Sequence, residues 1–259
     1  MLMMNVMLLS QSSDKISFRI TETDPVFVNT LRRVIMEEVP TIAIHEVHFR
    51  ENSSALYDEM LALRLGLIPL KTDLDSYVFP EEAKNESDPR VFVNFKLKAK
   101  GPCTVYASDL QSQDPQIEPA YKETIIVTLL KDQKLEFDAV AILGRGKQHM
   151  KFAPGLMYYH HVPLIQVKKR DAGAYKDKYP PQIFNAEGHI DPKLITKYQL
   201  VDACKHINPD IIEIKDKEDS FDVTLELWGQ LSARDVLGRA FAILGEKLET
   251  FEKLVHNIK

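Results

Sequence analysis

A glycine-rich stretch, Gly144-Arg145-Gly146-Lys147, is the first candidate for a functional site, because such stretches can bind phosphate. A nucleotide phosphate-binding loop has the pattern Gly, four residues, then Gly-Lys followed by Ser or Thr. Here position 141 is alanine and position 148 is glutamine, so the backbone cradle and the hydroxyl that would hold Mg²⁺ are both missing. We therefore predict a turn of special backbone conformation between two strands, not a nucleotide site.

Histidines and acids are the next candidates, as metal ligands or as acid–base groups. They are His149, His160 and His161, and farther along the chain Glu187, His189 and Asp191. Neighbouring residues of a strand point to opposite faces, so His160 and His161 are badly placed to bind one ion. There is also no Gly-x-Ser-x-Gly nucleophile motif. We predict no catalytic, cofactor-binding or metal-binding residue. An enzyme built from distant residues of the middle segment remains an alternative, which tight stoichiometric metal binding would favour.

The composition is that of a globular protein with more than one domain. The chain has 259 residues, of which 44% are hydrophobic and 27% charged. Its net charge of −5 argues against sequence-independent nucleic-acid binding as the main activity, because such binding depends on Lys and Arg. No apolar run reaches the roughly 18 to 20 residues that cross a bilayer, and Met1–Ser10 lack the features of a signal peptide. We expect a cytoplasmic protein without a membrane partner.

A long C-terminal helix, predicted from Ser232 to Lys259, is the main element that could position a function. Ser232 followed by Asp235 is a variant of the capping box that begins helices. Apolar residues then recur in alternating steps of four and three, the period of a seam packed against another helix. The seam residues are Leu237, Phe241, Leu244, Leu248, Phe251, Val255 and Ile258. This pattern favours a dimerisation helix over a helix docked only on its own domain.

The front of the chain predicts a hairpin and a helix. Val6–Leu9 and the alternating Lys15–Ile20 are separated by turn-forming residues, as in a β-hairpin. Asp24-Pro25 begins a helix that Pro40 ends. A phase slip near His45 in the strand that follows predicts a β-bulge.

The remaining segments complete an α+β prediction. Alternating apolar residues predict a mostly-β insertion up to about Val167, Asp191-Pro192 begins a helix through about His206, and Phe221–Leu227 form a strand. The predicted architecture is a discontinuous dimerisation domain (sheet plus long helices; residues 1–49 and 220–259). An inserted mostly-β domain covers residues 50–170, and a small third domain covers residues 171–219.

Four segments, in this order along the chain, resemble the α-type assembly subunits of multisubunit RNA polymerases. They are Asn29–Ile44 (NTLRRVIMEEVPTIAI), Asp58–Leu70 (DEMLALRLGLIPL), Leu143–Pro154 (LGRGKQHMKFAP) and Leu227–Ser232 (LWGQLS). They resemble the first helix and strand, the two ends of the inserted domain, and the return to the dimerisation domain. The extra unit between Asp171 and Asp219 is most similar to that of the archaeal members of this family.

The resemblance implies that the third domain is ferredoxin-like, and in some members this domain holds an iron–sulfur cluster. Such a cluster takes three or four thiolates, whereas Cys204 is the one cysteine of this segment. We therefore expect no cofactor. The domain would be held by an apolar core of Ile183, Phe184, Leu194, Ile195, Leu200 and Val201.

The implied function is assembly without catalysis. Helices from both chain ends would pair with the small subunit L, and the platform would recruit subunits N and P and the second-largest subunit. The catalytic Mg²⁺ would lie in the largest subunit, and no base-specific DNA contact is expected here. The expected partner seam is Leu31, Val34 and Ile35 of the first helix with Leu237, Phe241, Leu244, Leu248, Phe251 and Val255.

Four arginines are candidate contacts with the large subunits, because arginine is favoured at interfaces for its planar fork of donors. They are Arg32, Arg33, Arg64 and Arg145. Simple solvent exposure is the alternative for each. A homodimeric regulator or storage protein that uses the same seam is the alternative function, and a stable soluble homodimer would favour it.

Overall fold

A computed structural model describes residues 4–85 and 88–256. Its described residues divide into two compact units. The first comprises residues 4–8, 18–28 and 159–223, and the second comprises residues 9–17, 29–85, 88–158 and 224–256. Each unit is discontinuous in sequence, and the predicted seam residue Ile258 lies outside the described residues.

The described residues form ten strands and five α-helices. In chain order they are β1 (Asn5–Gln11), β2 (Lys15–Thr21), α1 (Pro25–Glu37), β3 (Pro40–Asn52), α2 (Asp58–Gly66), β4 (Phe92–Lys100), β5 (Cys103–Tyr106), β6 (Gln111–Ser112), β7 (Ile125–Leu129), β8 (Lys134–Arg145), β9 (Gly155–Val167), α3 (Pro192–Lys197), α4 (Val201–Cys204), β10 (Ile212–Leu227) and α5 (Ala233–His256).

The strands form three sheets. Their orders are β1-β2-β10-β9, β3-β8-β4-β6 and β5-β7. The predicted hairpin is confirmed as β1 and β2. The helix predicted after Asp24 is confirmed as α1, and the Asp24 carboxylate accepts a hydrogen bond from the Phe27 amide at 2.7 Å.

Strand pairing bears on the domain boundaries, which remain a prediction. β3 pairs with β8 along its whole length, from Pro40 opposite Arg145 to Asn52 opposite Leu135. It therefore belongs to the sheet of the inserted segment, although the prediction assigned residues up to 49 to the terminal domain. β9 lies in the sheet with β1, β2 and β10, whereas the prediction assigned residues 155–167 to the insertion that runs to residue 170. An alternating pattern predicts a strand but does not say which distant strand it pairs with.

The predicted bulge at His45 is confirmed, because the register of β3 against β8 shifts between Ile44 and Glu46. The Lys151 ammonium donates to the Ile44 carbonyl at 2.9 Å beside this bulge, and burial lowers the pKa of Lys151. A lysine thus pairs with a backbone acceptor at the irregular point of the strand.

The core of the second unit lies between its main sheet and α2. Phe95, Phe137, Leu61 and Leu65 are all 0–1% exposed. Full burial of one such side chain contributes about 1.5–3 kcal/mol. These residues alternate along the strands and follow helical spacing in α2, which is why the sequence forms these elements.

The glycine-rich stretch at the end of β8 is a packing feature. A Cβ on Gly146 would lie 1.9 Å from the Met36 carbonyl oxygen, and one on Gly144 would lie 2.8 Å from the Phe152 ring. The Lys147 amide donates to the Glu37 carbonyl at 2.9 Å. The two glycines are needed because backbone and ring approach them too closely for a side chain.

In the first unit, residues 171–211 form short helical turns without a β-strand. One isolated β-bridge joins Phe184 to Ile190, and the ferredoxin-like arrangement of this segment stays a prediction. The single helix predicted for 191–206 is two helices, α3 and α4, because Gln199 between them has a positive φ of 55°. The expected core is largely present: Ile183 and Ile195 are 0% exposed, and Phe184, Leu200 and Val201 pack against them. No described helix is both long and apolar enough to cross a membrane.

Candidate protein interface

Helix α5 is fixed to its own unit by one stripe of residues. Val236 and Ala240 are 0% exposed and Ile243 is 8% exposed, at the spacing of one helix face. The Ser232 hydroxyl accepts a hydrogen bond from the Asp235 amide at 3.2 Å, which confirms the predicted start of the helix. One turn beyond Ile243, the Lys247 ammonium lies 2.8 Å from the Glu38 carboxylate.

The predicted seam lies beside this buried stripe and stays open to solvent. Each buried residue immediately precedes a seam residue, so the two stripes are about 100° apart around the helix axis. Phe241 is 48% exposed, Leu248 68%, Phe251 66% and Val255 46%. Leu237 and Leu244, nearer the start of α5, are partly buried. The helix thus uses one apolar stripe within the chain and presents the other outward.

The C-terminal half of α5 has no cover within the described part of the chain. Every residue from Glu246 to His256 is exposed, including Leu248, Leu254 and Val255. Isolated helices shorter than about 12–15 residues are marginal in water even with good helix formers. An exposed run of three helical turns with apolar side chains is typical of a surface that another polypeptide covers.

Helix α1 carries the other three predicted seam residues. Leu31, Val34 and Ile35 are 1%, 6% and 0% exposed, so they are buried within their own chain. They have almost no exposed surface in the structure, and their part in a partner seam stays a prediction.

Two of the candidate arginines make contacts within α1. The Arg32 guanidinium donates to the Asn29 side-chain oxygen at 3.0 Å. Arg33 forms an ion pair with Glu37 at 3.2 Å, and this guanidinium lowers the pKa of the Glu37 carboxyl. Both contacts follow helical spacing and are exposed or part-exposed, so they need no partner to explain them.

The other two arginines lie in the inserted segment and make their contacts there. Arg64 donates to the backbone carbonyls of Ile126 at 2.9 Å and Ile125 at 2.5 Å, which ties α2 to β7. The Arg145 guanidinium lies 3.9 Å from the centre of the Phe79 ring. Arg64 is thus engaged by backbone acceptors, whereas Arg145 stacks on a ring.

The histidines have ordinary hydrogen-bonding roles. The His149 Nδ1 accepts from the Lys151 amide at 3.1 Å, and the His161 Nδ1 lies 3.1 Å from the Lys217 carbonyl oxygen. Among the described residues, no three His, Cys, Asp or Glu side chains are grouped so that they could hold a metal ion.

The cysteines do not fit an iron–sulfur cluster. Cys204 is 0% exposed, and burial raises the pKa of its thiol, although a cluster needs thiolates. Cys103 is exposed and lies in the other unit, and the full sequence has two cysteines. Two thiols in separate units cannot supply the three or four ligands of a cluster.

A second exposed apolar stripe, on α2 and its two flanking residues Tyr57 and Leu67, was not predicted from the sequence. Tyr57 is 76% exposed, Met60 49%, Leu63 61% and Leu67 56%. Their steps of three, three and four residues are a helical signal that could have revealed the stripe. Strand β1 is also exposed, with Leu8 at 57%.

Comparison with known proteins identifies the family. Residues 44–157 match the family model described as the RNA polymerase Rpb3/RpoA insert domain. The chain is 35% identical to the DNA-directed RNA polymerase subunit Rpo3 of Pyrococcus horikoshii over 96% of both chains. It is 34% identical to subunit Rpo3 of Thermococcus kodakarensis over 99% of both chains. This chain belongs to the Rpo3 family.

Membership of the Rpo3 family makes the chain a subunit of an archaeal DNA-directed RNA polymerase, and it agrees with the resemblance of the four segments. Subunit Rpo3 of Methanosarcina acetivorans is another relative, 35% identical over 95% of this chain and 96% of its own length. The insert-domain match begins within β3 and ends within β9, close to the boundaries that strand pairing gives.

Proposed function

We propose that this Rpo3 family member is a non-catalytic assembly subunit that pairs with the small subunit L through the exposed seam of α5. The observation that carries the proposal is the pair of apolar stripes on one helix. Val236, Ala240 and Ile243 hold the helix in place, while Phe241 and Leu248 remain open to solvent. Interfaces of obligate partners resemble a domain core cut in half, and this helix has that form.

The wider proposal is a platform in the cytoplasm that also recruits subunits N and P and the second-largest subunit. The net charge of −5 supports protein partners over a direct contact with DNA bases. The exposed α2 stripe offers a second apolar surface, on the inserted segment, for a further subunit. We propose that no cofactor takes part, because the cysteines do not fit a cluster.

The experiment that tests this function is the mass in solution, by light scattering, of the chain alone and co-expressed with subunit L. A one-to-one complex, with the lone chain aggregating, supports the proposal. A second copy of the chain could cover the same seam. A monodisperse species of twice the 29.6 kDa chain mass that ignores subunit L would overturn the proposal in favour of a homodimer.

A further inference from the structure

A basic segment of the first unit runs from Lys168 to Lys178. It follows β9 directly and ends in a 3₁₀ helix, Gly173–Lys178. Five of its residues are lysine or arginine and two are aspartate, so it carries a net charge of +3 in a chain whose net charge is −5. All five cations are exposed: Lys168, Lys169, Arg170, Lys176 and Lys178. Positive charge is therefore concentrated here against the balance of the chain.

Four of these cations are unpaired within the described part of the chain. Lys168 lies 2.8 Å from the Glu213 carboxylate. Among the described residues, no carboxylate, those of Asp171 and Asp177 included, lies within ion-pair distance of the other four cations. The Asp171 carboxylate instead accepts a hydrogen bond from the Gly173 amide at 2.9 Å. The four unpaired cations are therefore available to an anion outside the chain.

An exposed aromatic ring lies among the cations. Tyr175 is 38% exposed, and the Lys178 ammonium lies 5.1 Å from the centre of its ring. These two residues are three positions apart in the 3₁₀ helix, which places them on the same side. The helix is anchored at its two ends by Ala172 and Tyr179, which are 2% and 3% exposed. The Tyr175 ring is therefore held at the surface next to a cation.

Contacts with one neighbouring loop bring the two ends of the basic segment together. The Ile190 amide donates to the Arg170 carbonyl at 2.9 Å. Two residues earlier in that loop, a Cβ on Gly188 would lie 3.8 Å from the Lys176 ammonium. Two residues of extended chain span at most about 7 Å. Arg170 and Lys176 therefore lie along the same short stretch of surface.

We propose that the basic segment binds single-stranded RNA, with the four unpaired cations on phosphates and the Tyr175 ring stacked on a base. Proteins that bind single strands without sequence preference combine cations along the backbone with aromatic rings that stack on the bases. The bases of a duplex are stacked on one another, so this ring favours a single strand. RNA is the polymer that a DNA-directed RNA polymerase makes. The inference rests on membership of the Rpo3 family and does not need subunit L.

The test is the fluorescence anisotropy of a short labelled single-stranded RNA, titrated with the full chain at several salt concentrations. The chain is used in whichever soluble state light scattering shows, so a failure to pair with subunit L leaves this test intact. The triple variant removes three unpaired cations: Lys169→Gln, Arg170→Gln and Lys176→Gln. The control variant removes three exposed lysines of the second unit: Lys96→Gln, Lys100→Gln and Lys131→Gln.

The expected loss follows from the salt dependence of phosphate contacts. For a single strand, the logarithm of the association constant falls with the logarithm of the salt concentration by about 0.7 per contact. Three contacts therefore strengthen binding about 50-fold at ~0.15 M salt relative to ~1 M. The triple variant should bind RNA about 50-fold more weakly at ~0.15 M salt, with a slope smaller by about 2, and the control variant should bind like the native chain. Equal affinities of the triple variant and the native chain, or equal losses in both variants, would overturn the inference.

The ring is tested by Tyr175→Ala and Tyr175→Phe. Loss of one stacked base weakens single-strand binding by about 5- to 150-fold, and the salt slope stays unchanged because the ring carries no charge. Tyr175→Phe keeps the stacking surface and should bind like the native chain. Native affinity of Tyr175→Ala would overturn the proposed stacking. Thermal melting checks that each variant is folded, and if one of the triple and Tyr175→Ala variants unfolds, the other decides.

An acidic polypeptide is the other polyanion that could cover the basic segment. Poly-glutamate and a DNA duplex are therefore titrated in parallel, and RNA should bind more tightly than either. Poly-glutamate binding as tight as that of RNA, with no loss in Tyr175→Ala, would overturn the inference in favour of an acidic protein partner. Tighter binding of the duplex than of RNA would overturn it as well.

Discussion

Replacing Phe241 and Leu248 together by aspartate is expected to separate this chain from subunit L without unfolding it. Both side chains lie on the seam of α5 and are 48% and 68% exposed, respectively. Their replacement therefore removes mainly contacts with a partner and few contacts within the chain. The inner stripe of Val236, Ala240 and Ile243 is unchanged and keeps the helix docked on its own unit.

The magnitude follows from the exposed fractions. Full burial of a Phe or Leu side chain stabilises by about 1.5–3 kcal/mol, so covering the exposed fractions of 48% and 68% stabilises the complex by about 2–3 kcal/mol in total. The double alanine variant should therefore bind roughly 30- to 150-fold more weakly. The aspartates add the cost of removing two carboxylates from water, several kcal/mol more, so association should weaken by more than about 1,000-fold.

The assay is the dissociation constant for subunit L, with circular dichroism and thermal melting of the unpaired chain as the folding check. Ala242→Asp with Lys253→Gln is the matched control, because it also lowers the net charge by two but lies on the opposite side of α5. The control should bind like the native chain. Undiminished binding by the double aspartate variant would refute the seam assignment.

Three other outcomes are expected. Hydrogen exchange of residues 248–256 should be fast in the lone chain and should slow when subunit L binds, and unchanged exchange would contradict partner stabilisation of this segment. Two lysine ammonium groups, of Lys122 and Lys71, lower the pKa of Glu118 from its ordinary 4.5 to about 2. Between pH 4.5 and 2 the Glu118 carboxylate is therefore charged in the folded protein but protonated in the unfolded chain. The ion pairs stabilise the folded protein above pH 4.5, and this stabilisation is lost as the pH falls towards 2. Glu118→Gln should flatten the acid dependence of unfolding over that interval, and an identical pH profile would contradict the assignment. Alkylation should modify Cys103 rapidly in the native protein and Cys204 only after denaturation, and equal rates at both thiols would contradict the burial of Cys204. Anaerobically purified protein should contain no iron or labile sulfide.

Local pattern was enough to predict the elements that carry the proposed interface. The 3.5-residue spacing around Phe241 and Leu248 predicts an apolar stripe, and the capping pattern at Ser232 predicts where the helix begins. The same kind of stripe on α1, at Leu31 and Ile35, is buried in the chain itself. Spacing reveals that a stripe exists, but whether the chain covers it depends on tertiary packing that the spacing does not encode.

Long-range pairing accounts for the other differences. β3 and β8 are paired across about 90 residues, and no local signal tells that residues 40–49 belong to the inserted sheet. The bulge at His45 was predictable because it changes the alternation within one strand. The two short helices in residues 192–204 were not, since the break depends on the left-handed backbone of Gln199.

The neighbouring position of β2 and β10 in one sheet has a consequence for biosynthesis. About 190 residues separate the end of β2 from the start of β10. At a translation rate of about 5–20 residues per second, the ribosome needs roughly 10 to 40 s to supply the strand that β2 requires. During that interval β2 lacks its neighbour in the sheet, and its side chains Phe18 and Ile20, which are buried in the folded chain, are without that cover. The sheet is therefore completed only when β10 leaves the ribosome, and α5, which follows β10 in the chain, can meet the proposed partner only after that.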